Sequence, residues 1–433
     1  MKVTQIEIKK LGINSEGIGY INKKVCFVDN ALPGEVVEVE LDNNNPRYYK
    51  GKIVKYIKQS SYRQKTICKE DGHCLGCSLT CYQYDQQLIY KKDLLKDALR
   101  KYTKLPLKYL PIRNTISAHQ TLGYKDVVSL PVTYFQGKVR FGIYQRESKY
   151  LTLMDQCVTQ NPLINECLQQ IEDILNECHV RDYNEKFKMG LRFIRMRLIE
   201  NQIQILFVTG NDGIKEEAIQ RISQIPSVKA IWYTINTARY QDFDKKGYTK
   251  LYGDSKFSFD CLNQRYQISI KSDYPINPYQ EEVKLSLIQS MIEEGHILSL
   301  NCGIGVLELA LNNDIIAIDE RKENIQDAND NKQLLHKHNV EFVCRNIDEA
   351  VITYCKKNSF DYMIVRGEGL SDTMIQSMIL SKIKNVIIVS DHPSSLAKNL
   401  EEIKDYYKIK TMIPVDSYPY TAKFDTIVHL VKH

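Results

Sequence analysis

Apolar and polar positions alternate with a period of two in short runs along the first sixty residues, at 3–8, 24–28, 35–41 and 49–57. Turn formers punctuate these runs at Gly12, Gly17, Gly19, Pro33–Gly34 and residues 43–45. Such spacing predicts a small twisted barrel of about five strands. The period then lengthens. From Tyr84 to Tyr102 the apolar positions Leu88, Leu94, Leu95, Ala98 and Leu99 repeat as on one face of a helix. Strand-like runs return at 127–132, 138–144 and 150–153. Between Asn161 and Ser258, helix candidates at 163–178 and 213–225 alternate with strands at 191–199, 203–208 and 228–235. Residues 266–433 alternate strand and helix in the manner of a doubly wound sheet.

The predicted architecture is therefore α/β in three parts. Residues 1–58 form a small β-barrel, 59–258 a central α+β domain, and 259–433 a doubly wound, Rossmann-like domain. The helix at 84–102 is a candidate to pack on the C-terminal domain. A chain of 433 residues is long enough for this division.

Charge and composition narrow the functional classes. The net charge is +6, and residues 1–66 carry 12 Lys/Arg against 7 Asp/Glu. A polyanion is a reasonable partner for the barrel, in competition with a plain solvated basic face. Arg47, Tyr48, Tyr49 and Lys50 supply the basic and aromatic mix that single-stranded nucleic acid favours. Arg192, Arg195 and Arg197, beside aromatics, are further candidates to face RNA, against the commoner role of an exposed sheet face. No apolar run reaches the ~20 residues that span a bilayer. The 12 cysteines lack the short even framework of a secreted scaffold, and no signal sequence is evident, so a cytoplasmic, reduced monomer is expected.

The cysteines concentrate in Cys68-Lys-Glu-Asp-Gly-His-Cys74-Leu-Gly-Cys77-Ser-Leu-Thr-Cys81. Three thiols at this spacing, in a segment too polar for a core, point to a bound metal or cluster. The fourth ligand stays open: Cys81 is nearest in sequence, whereas Cys157 would tie two distant segments. Four thiolates suit zinc as well as an iron–sulfur cube.

A second motif lies in the C-terminal domain. Strand 297–300 runs into Asn301-Cys-Gly303-Ile-Gly305 and a helix, and the next strand ends in Asp319. Glycines at a strand-to-helix turn let backbone approach a ligand, and an acid at the second strand's end suits ribose hydroxyls. The two-glycine form suits S-adenosylmethionine better than a dinucleotide.

Two resemblances attach to these residues. Glu16-Gly-Ile-Gly19, Phe27-Val28 and Ala31-Leu-Pro-Gly-Glu35 resemble a TRAM domain, an RNA-binding module. The cysteines, Gly123-Tyr-Lys125, Phe141-Gly-Ile-Tyr-Gln-Arg146 with Ser148, and Cys157 follow the order found in RNA uracil-C5 methyltransferases that carry a [4Fe-4S] cluster and act on ribosomal RNA. That resemblance implies an rRNA or tRNA partner, S-adenosylmethionine as cofactor, and a [4Fe-4S] cluster rather than zinc on Cys68, Cys74, Cys77 and Cys157, with Cys81 a bystander. It carries cofactor contacts onto Asn277, Gly303, Gly305, Asp319 and Asn346, with Asn301 where the family has an aromatic. In Tyr274-Pro275-Ile276-Asn277, Pro275 replaces a cofactor-contacting glutamine and offers no side-chain hydrogen bond.

The resemblance breaks at the chemistry. The family adds a cysteine thiolate to uracil C6, methylates C5, and removes the C5 proton with a carboxylate. Val389-Ser-Asp391-His-Pro393 aligns with the nucleophile motif and puts Asp391 at the cysteine's position. A carboxylate is a poor substitute for a soft thiolate there. Arg366-Gly-Glu-Gly369 stands where Asp-Pro-Pro-Arg-x-Gly is usual. Asp425, ending Pro419-Tyr-Thr-Ala-Lys-Phe-Asp425, takes the place of the glutamate base. Cys302, Cys344, Cys355 and Cys261 read as small buried hydrophobes rather than a substitute nucleophile. The sequence thus predicts an RNA-binding family member that lacks the usual transfer chemistry. The competing readings are an active enzyme with a non-standard nucleophile or target atom, and a redox-sensing cluster protein.

Overall fold

The computed structural model describes residues 3–42, 45–71, 74, 76–144, 151–154, 156–238, 243, 246–357 and 359–433. Asn43 and Asn44 of the predicted turn, and Gln145, Arg146, Ser148 and Tyr150 of the predicted motif region, lie outside the described residues. Among the described residues no helix is long and apolar enough to cross a membrane.

The barrel is a six-stranded sheet in which Val3–Glu7, Val36–Asp42, Tyr48–Lys58, Lys24–Val28, Gly17–Ile21 and Lys10–Leu11 are successive neighbours. Alternation buries Ile6, Ile8, Cys26, Val28, Val37 and Val39 in its core. Gly17 and Gly19, expected as turn residues, instead lie in a strand. A Cβ at Gly17 would meet the Ala31 carbonyl oxygen at 2.7 Å, and one at Gly19 would meet Ile6 Cδ1 at 2.6 Å. Glycine in a strand here permits close backbone approach rather than a turn.

The central domain has a seven-stranded sheet built around Leu191–Ile199, with Gln202–Thr209 on one side and Val127–Phe135 on the other. Helices Pro162–Glu177 and Glu216–Ile222 cover one face, burying Ile164, Ile171, Leu175 and Ile222 against Val128, Ile194, Met196, Ile205 and Phe207. Arg197 corrects one expectation. It is buried and donates to the carbonyls of Ser269 and Ser272, at 2.7 Å each, so it ties the central sheet to the C-terminal domain rather than facing a ligand.

In the C-terminal domain the strands lie in the order Val340–Cys344, Ile315–Asp319, Ile297–Leu300, Tyr362–Arg366, Asn385–Ser390, Asp425–Lys432 and Tyr407–Val415. The first five are parallel, and Asp425–Lys432 runs antiparallel to both neighbours. The hairpin Lys256–Cys261 and Gln264–Ser269 packs Phe257, Tyr266 and Ile268 into the core beneath one face. On the other face, helix Tyr84–Tyr102 buries Leu95, Ala98 and Leu99 in one cluster with Leu396, Leu400 and Ile403 of helix Pro393–Ile403. Ile112 and Ile116 then pair in parallel with Met412 and Val415 at the sheet edge. The chain thus visits the C-terminal domain before building the central one.

This detour is held by a buried clasp. Lys91 Nζ makes an ion pair with Asp416 and donates to the Tyr418 carbonyl at 3.0 Å, and both charged side chains are completely buried. Tyr84 Oη donates to the other Asp416 oxygen at 2.8 Å and accepts from the Ala118 N–H at 2.8 Å. Gln87 donates to the Leu79 and Tyr82 carbonyls and accepts from the Tyr420 N–H at 3.0 Å. Burial pulls the Lys91 ammonium below its usual range, while Asp416 opposes that pull. Removing one member strands the other charge without water. Lys91→Met should therefore lower unfolding free energy by about 3–5 kcal/mol, whereas Lys91→Met with Asp416→Asn recovers much of the loss, as read by urea denaturation.

Candidate functional site

A cavity of about 690 Å³ opens at the C-terminal ends of the parallel strands, where the strand order reverses between Ile297–Leu300 and Tyr362–Arg366. That reversal leaves the two following helices on opposite faces, and the gap between their connections is where α/β sheets take ligands. Asn301, Gly303 and Asp319 line it, and so does Pro275. Asn301 has φ 58°, a left-handed conformation that asparagine tolerates, and its Nδ2 donates to the Arg366 carbonyl at 2.6 Å. The Gly303 N–H donates to Asp319 Oδ2 at 2.9 Å, locking the loop to the end of the neighbouring strand.

Three other predicted contacts do not line the cavity. Asn277 caps helix Pro278–Gln289: its Oδ1 accepts from the Gln280 N–H at 3.2 Å and its Nδ2 donates to the Ser417 carbonyl at 3.0 Å. Gly305 is a packing glycine, since a Cβ there would meet the Phe342 ring at 2.4 Å. Asn346 acts one step removed, donating from Nδ2 to Glu320 Oε1 at 2.7 Å, and Glu320 lines the cavity. Sequence reasoning missed Glu320, Glu281 and Arg366 as lining residues. Glu320 was within reach, being next to Asp319 at a strand end; Glu281, on a helix, carries no local signal.

The cavity wall is acidic. Asp126, Glu281, Glu282, Asp319 and Glu320 face it, whereas its cations Arg321 and Arg366 are already committed to Asp273 and Glu308. Burial pushes the Asp126 carboxyl up to about 6, against a hydrogen bond from Asn161 that favours its charged form. Such a wall favours a cationic ligand and disfavours phosphate.

Asp391 and Asp425 sit beyond this cavity and are engaged differently. Asp391 follows the strand Asn385–Ser390, is exposed, and contacts His392 Nδ1 at 2.5 Å. Asp425 is buried at the start of the strand Asp425–Lys432, where Lys284 Nζ lies 2.6 Å from Oδ2 and Ser417 Oγ donates to the same atom at 2.5 Å. Lys284 also pairs with Glu281 at 2.7 Å, linking this carboxylate to the cavity wall. The two acids push the Lys284 ammonium above its usual range against the pull of burial. Tyr418 feels both aspartates. Its phenol is pushed up to about 12, first by burial and then by Asp425, with Asp391 adding to it.

The cysteine site draws on two segments. Cys77 Sγ and Cys157 Sγ stand 3.8 and 3.3 Å from one hydroxyl, Thr159 Oγ1. Burial raises the Cys68, Cys74 and Cys77 thiols, and Cys157 adds to the rise in all three, so the four share one electrostatic neighbourhood. The Lys125 ammonium opposes it at Cys74 and Cys77, favouring thiolate. All four are free thiols. Cys81 lies apart, buried with Leu11, Leu32 and Tyr82 and next to Arg63. Among the described residues no three ligating side chains are close enough to hold a metal ion as they stand. The donor set nevertheless fits a four-thiolate group: four free thiols from two segments, a nearby cation and no competing disulfide.

Comparison with known proteins follows these divisions. Residues 2–54 match the TRAM domain family, and residues 293–429 match a methyltransferase domain family. The chain is 26% identical over 440 residues to a Streptococcus mutans protein named an uncharacterized RNA methyltransferase, covering 99% of this chain and 96% of that protein. It is 28% identical over 444 residues to a Halalkalibacterium halodurans protein of the same description, covering 98% and 96%. Its fold matches the crystal structure of Pyrococcus abyssi tRNA (uracil-54, C5)-methyltransferase in complex with S-adenosyl-L-homocysteine, with a TM-score of 0.78 at 18% identity over 99% of this chain and 100% of that one. The chain therefore has an N-terminal TRAM domain and a C-terminal Rossmann-like methyltransferase fold.

The Lys284 contacts generate a prediction of their own. Lys284→Met leaves Glu281 and Asp425 close together without their cation, and should destabilise the protein by about 3 kcal/mol in urea denaturation. Lys284→Arg, which keeps the charge, should cost less.

Proposed function

We propose that this chain binds RNA through its TRAM barrel and central domain, holds an S-adenosyl ligand in the acidic cavity, and does not methylate uracil C5 by the cysteine route. The observation that carries the reading is the pairing of the two chemical positions. Asp391, which the resemblance aligns with the nucleophile, has its carboxylate on His392, and Asp425, which it aligns with the base, has its carboxylate on Lys284.

The physical consequences follow in order. Addition to C6 of a pyrimidine needs a polarisable nucleophile, and a carboxylate engaged by an imidazole is neither polarisable nor free. Proton removal from C5 needs an unengaged base within reach, and Asp425 would first have to leave an ammonium and a hydroxyl in a buried setting. S-adenosylmethionine, when bound, supplies an electrophilic methyl group. Around it this chain's residues bind and orient: Gly303 opens the loop to the ligand, Asp319 and Glu320 offer acceptors for ribose hydroxyls, and the acidic wall suits an ammonium and a sulfonium.

The cluster belongs to the same reading. Cys68, Cys74, Cys77 and Cys157 would hold a [4Fe-4S] cluster, which would staple the segment after the barrel to the central domain. Its role is then structural: the segment it fixes also hydrogen-bonds the loop that carries Asp425, from the Leu79 N–H to the Tyr420 carbonyl at 3.0 Å.

Two outcomes are expected. Purified anaerobically with its cluster, the protein should shift a structured rRNA or tRNA fragment in a gel yet transfer no tritiated methyl from S-adenosylmethionine to uridine. Transfer at C5 that Asp391→Ala abolishes would contradict the reading. Cys157→Ser should lower iron content and the broad visible absorbance after anaerobic reconstitution, whereas Cys81→Ser should change neither. Equal losses in both variants, or stoichiometric zinc without iron, would count against this ligand set.

A further inference from the structure

Arg366 ends the strand Tyr362–Arg366 and lines the cavity beside Asn301 and Gly303. It stands where the resemblance expects an aspartate, so a guanidinium replaces a carboxylate at the cavity wall. One terminal nitrogen donates to Glu308 Oε1 at 2.7 Å, and Ser299 Oγ donates to the same oxygen at 2.6 Å. The pair is incompletely satisfied. Among the described residues, Arg366 Nε is buried with no acceptor and Glu308 Oε2 with no donor. A buried donor left unpaired costs on the order of 1–3 kcal/mol, so this guanidinium is held with spare donor capacity at the cavity wall.

The surroundings say which acceptor fits. Arg321, the other cation at the cavity, is tied to Asp273 at 2.8 Å and the Lys271 carbonyl at 2.7 Å. Pro275 presents no donor. The remaining ionic wall, with Glu281, Glu282 and Glu320, repels an anion but suits an ammonium. A ligand end carrying both an ammonium and a carboxylate has acids for the first and, in the Arg366 guanidinium, a planar cationic donor group for the second. Guanidinium also matches a carboxylate in shape, with coplanar donors that a lysine lacks.

We propose that Arg366 anchors the carboxylate of the ligand's amino-acid end, and so selects S-adenosyl amino acids over adenosyl thioethers that lack that end. This rests on the S-adenosyl reading of the cavity, and the test separates the two. Titration calorimetry on the full chain would compare S-adenosylhomocysteine with 5′-methylthioadenosine, which keeps the adenosine and the thioether but has no amino-acid end. Wild-type protein should prefer S-adenosylhomocysteine by roughly tenfold or more, the range of a hydrogen bond to a charged group. Arg366→Gln with Glu308→Gln removes both charges together and should cut that preference roughly tenfold, the share of the carboxylate contact, while leaving methylthioadenosine affinity unchanged. Arg366→Lys keeps the charge opposite Glu308 but not the planar fork, and should weaken S-adenosylhomocysteine alone; it carries the test if the double variant melts early. Equal affinities in wild type, an unchanged preference in the variants, or parallel loss of both ligands would overturn the inference. Binding of neither ligand by folded wild-type protein would overturn the S-adenosyl reading beneath it.

Discussion

A fully buried ammonium is tolerated in this protein because one carboxylate and one carbonyl meet it. Lys91 lies on a helix near the N-terminal third of the chain, and its partners Asp416 and Tyr418 lie in the connection between the last two strands. The connection is otherwise a stretch of backbone that must find hydrogen bonds without regular structure. It finds them in the clasp: Gln87 takes the Tyr420 N–H, the Leu79 N–H meets the Tyr420 carbonyl, and Tyr124 donates to the Pro419 carbonyl at 3.1 Å. The cysteine segment, the first long helix and the central domain therefore all converge on the few residues that carry Asp425.

That convergence gives the cysteine site its meaning. A group bound by Cys68, Cys74, Cys77 and Cys157 would fix the segment whose Leu79 N–H meets the Tyr420 carbonyl. Lys284 bridges Glu281 and Asp425, Arg366 lines the cavity on its pair with Glu308, and Asp391 contacts His392. These contacts pair the site's charged groups with one another, and the proposed function is accordingly that of a scaffold used for binding.

Much of this was legible in the sequence. Strand period, the glycine loop and the acid at Asp319 located the cavity because they are local signals, complete within a few residues. Helix Tyr84–Tyr102 was visible as a helix, and its face of Leu95, Ala98 and Leu99 gave grounds for packing on the C-terminal domain, but its charged partner 325 residues away was not. Gly17 and Gly19 misled, because glycine marks both turns and close strand approach and only Ile6 and Ala31 decide which. Asn277 and Asn346 misled for a different reason: a polar residue at a conventional contact position can act through a helix cap or a neighbouring carboxylate instead. The engagement of Asp425 by Lys284 could not be read at all, since it joins a helix and a strand 141 residues apart.

The central claim is that binding persists without uracil methylation, and the most direct measurement is made in cells. Quantitative mass spectrometry of 5-methyluridine, site by site in ribosomal and transfer RNA, from strains with and without the gene tests it. The account predicts the same 5-methyluridine at every site in both strains. A site that loses its methyl group on deletion and regains it with the wild-type gene, but not with an Asp391→Ala copy, would contradict it.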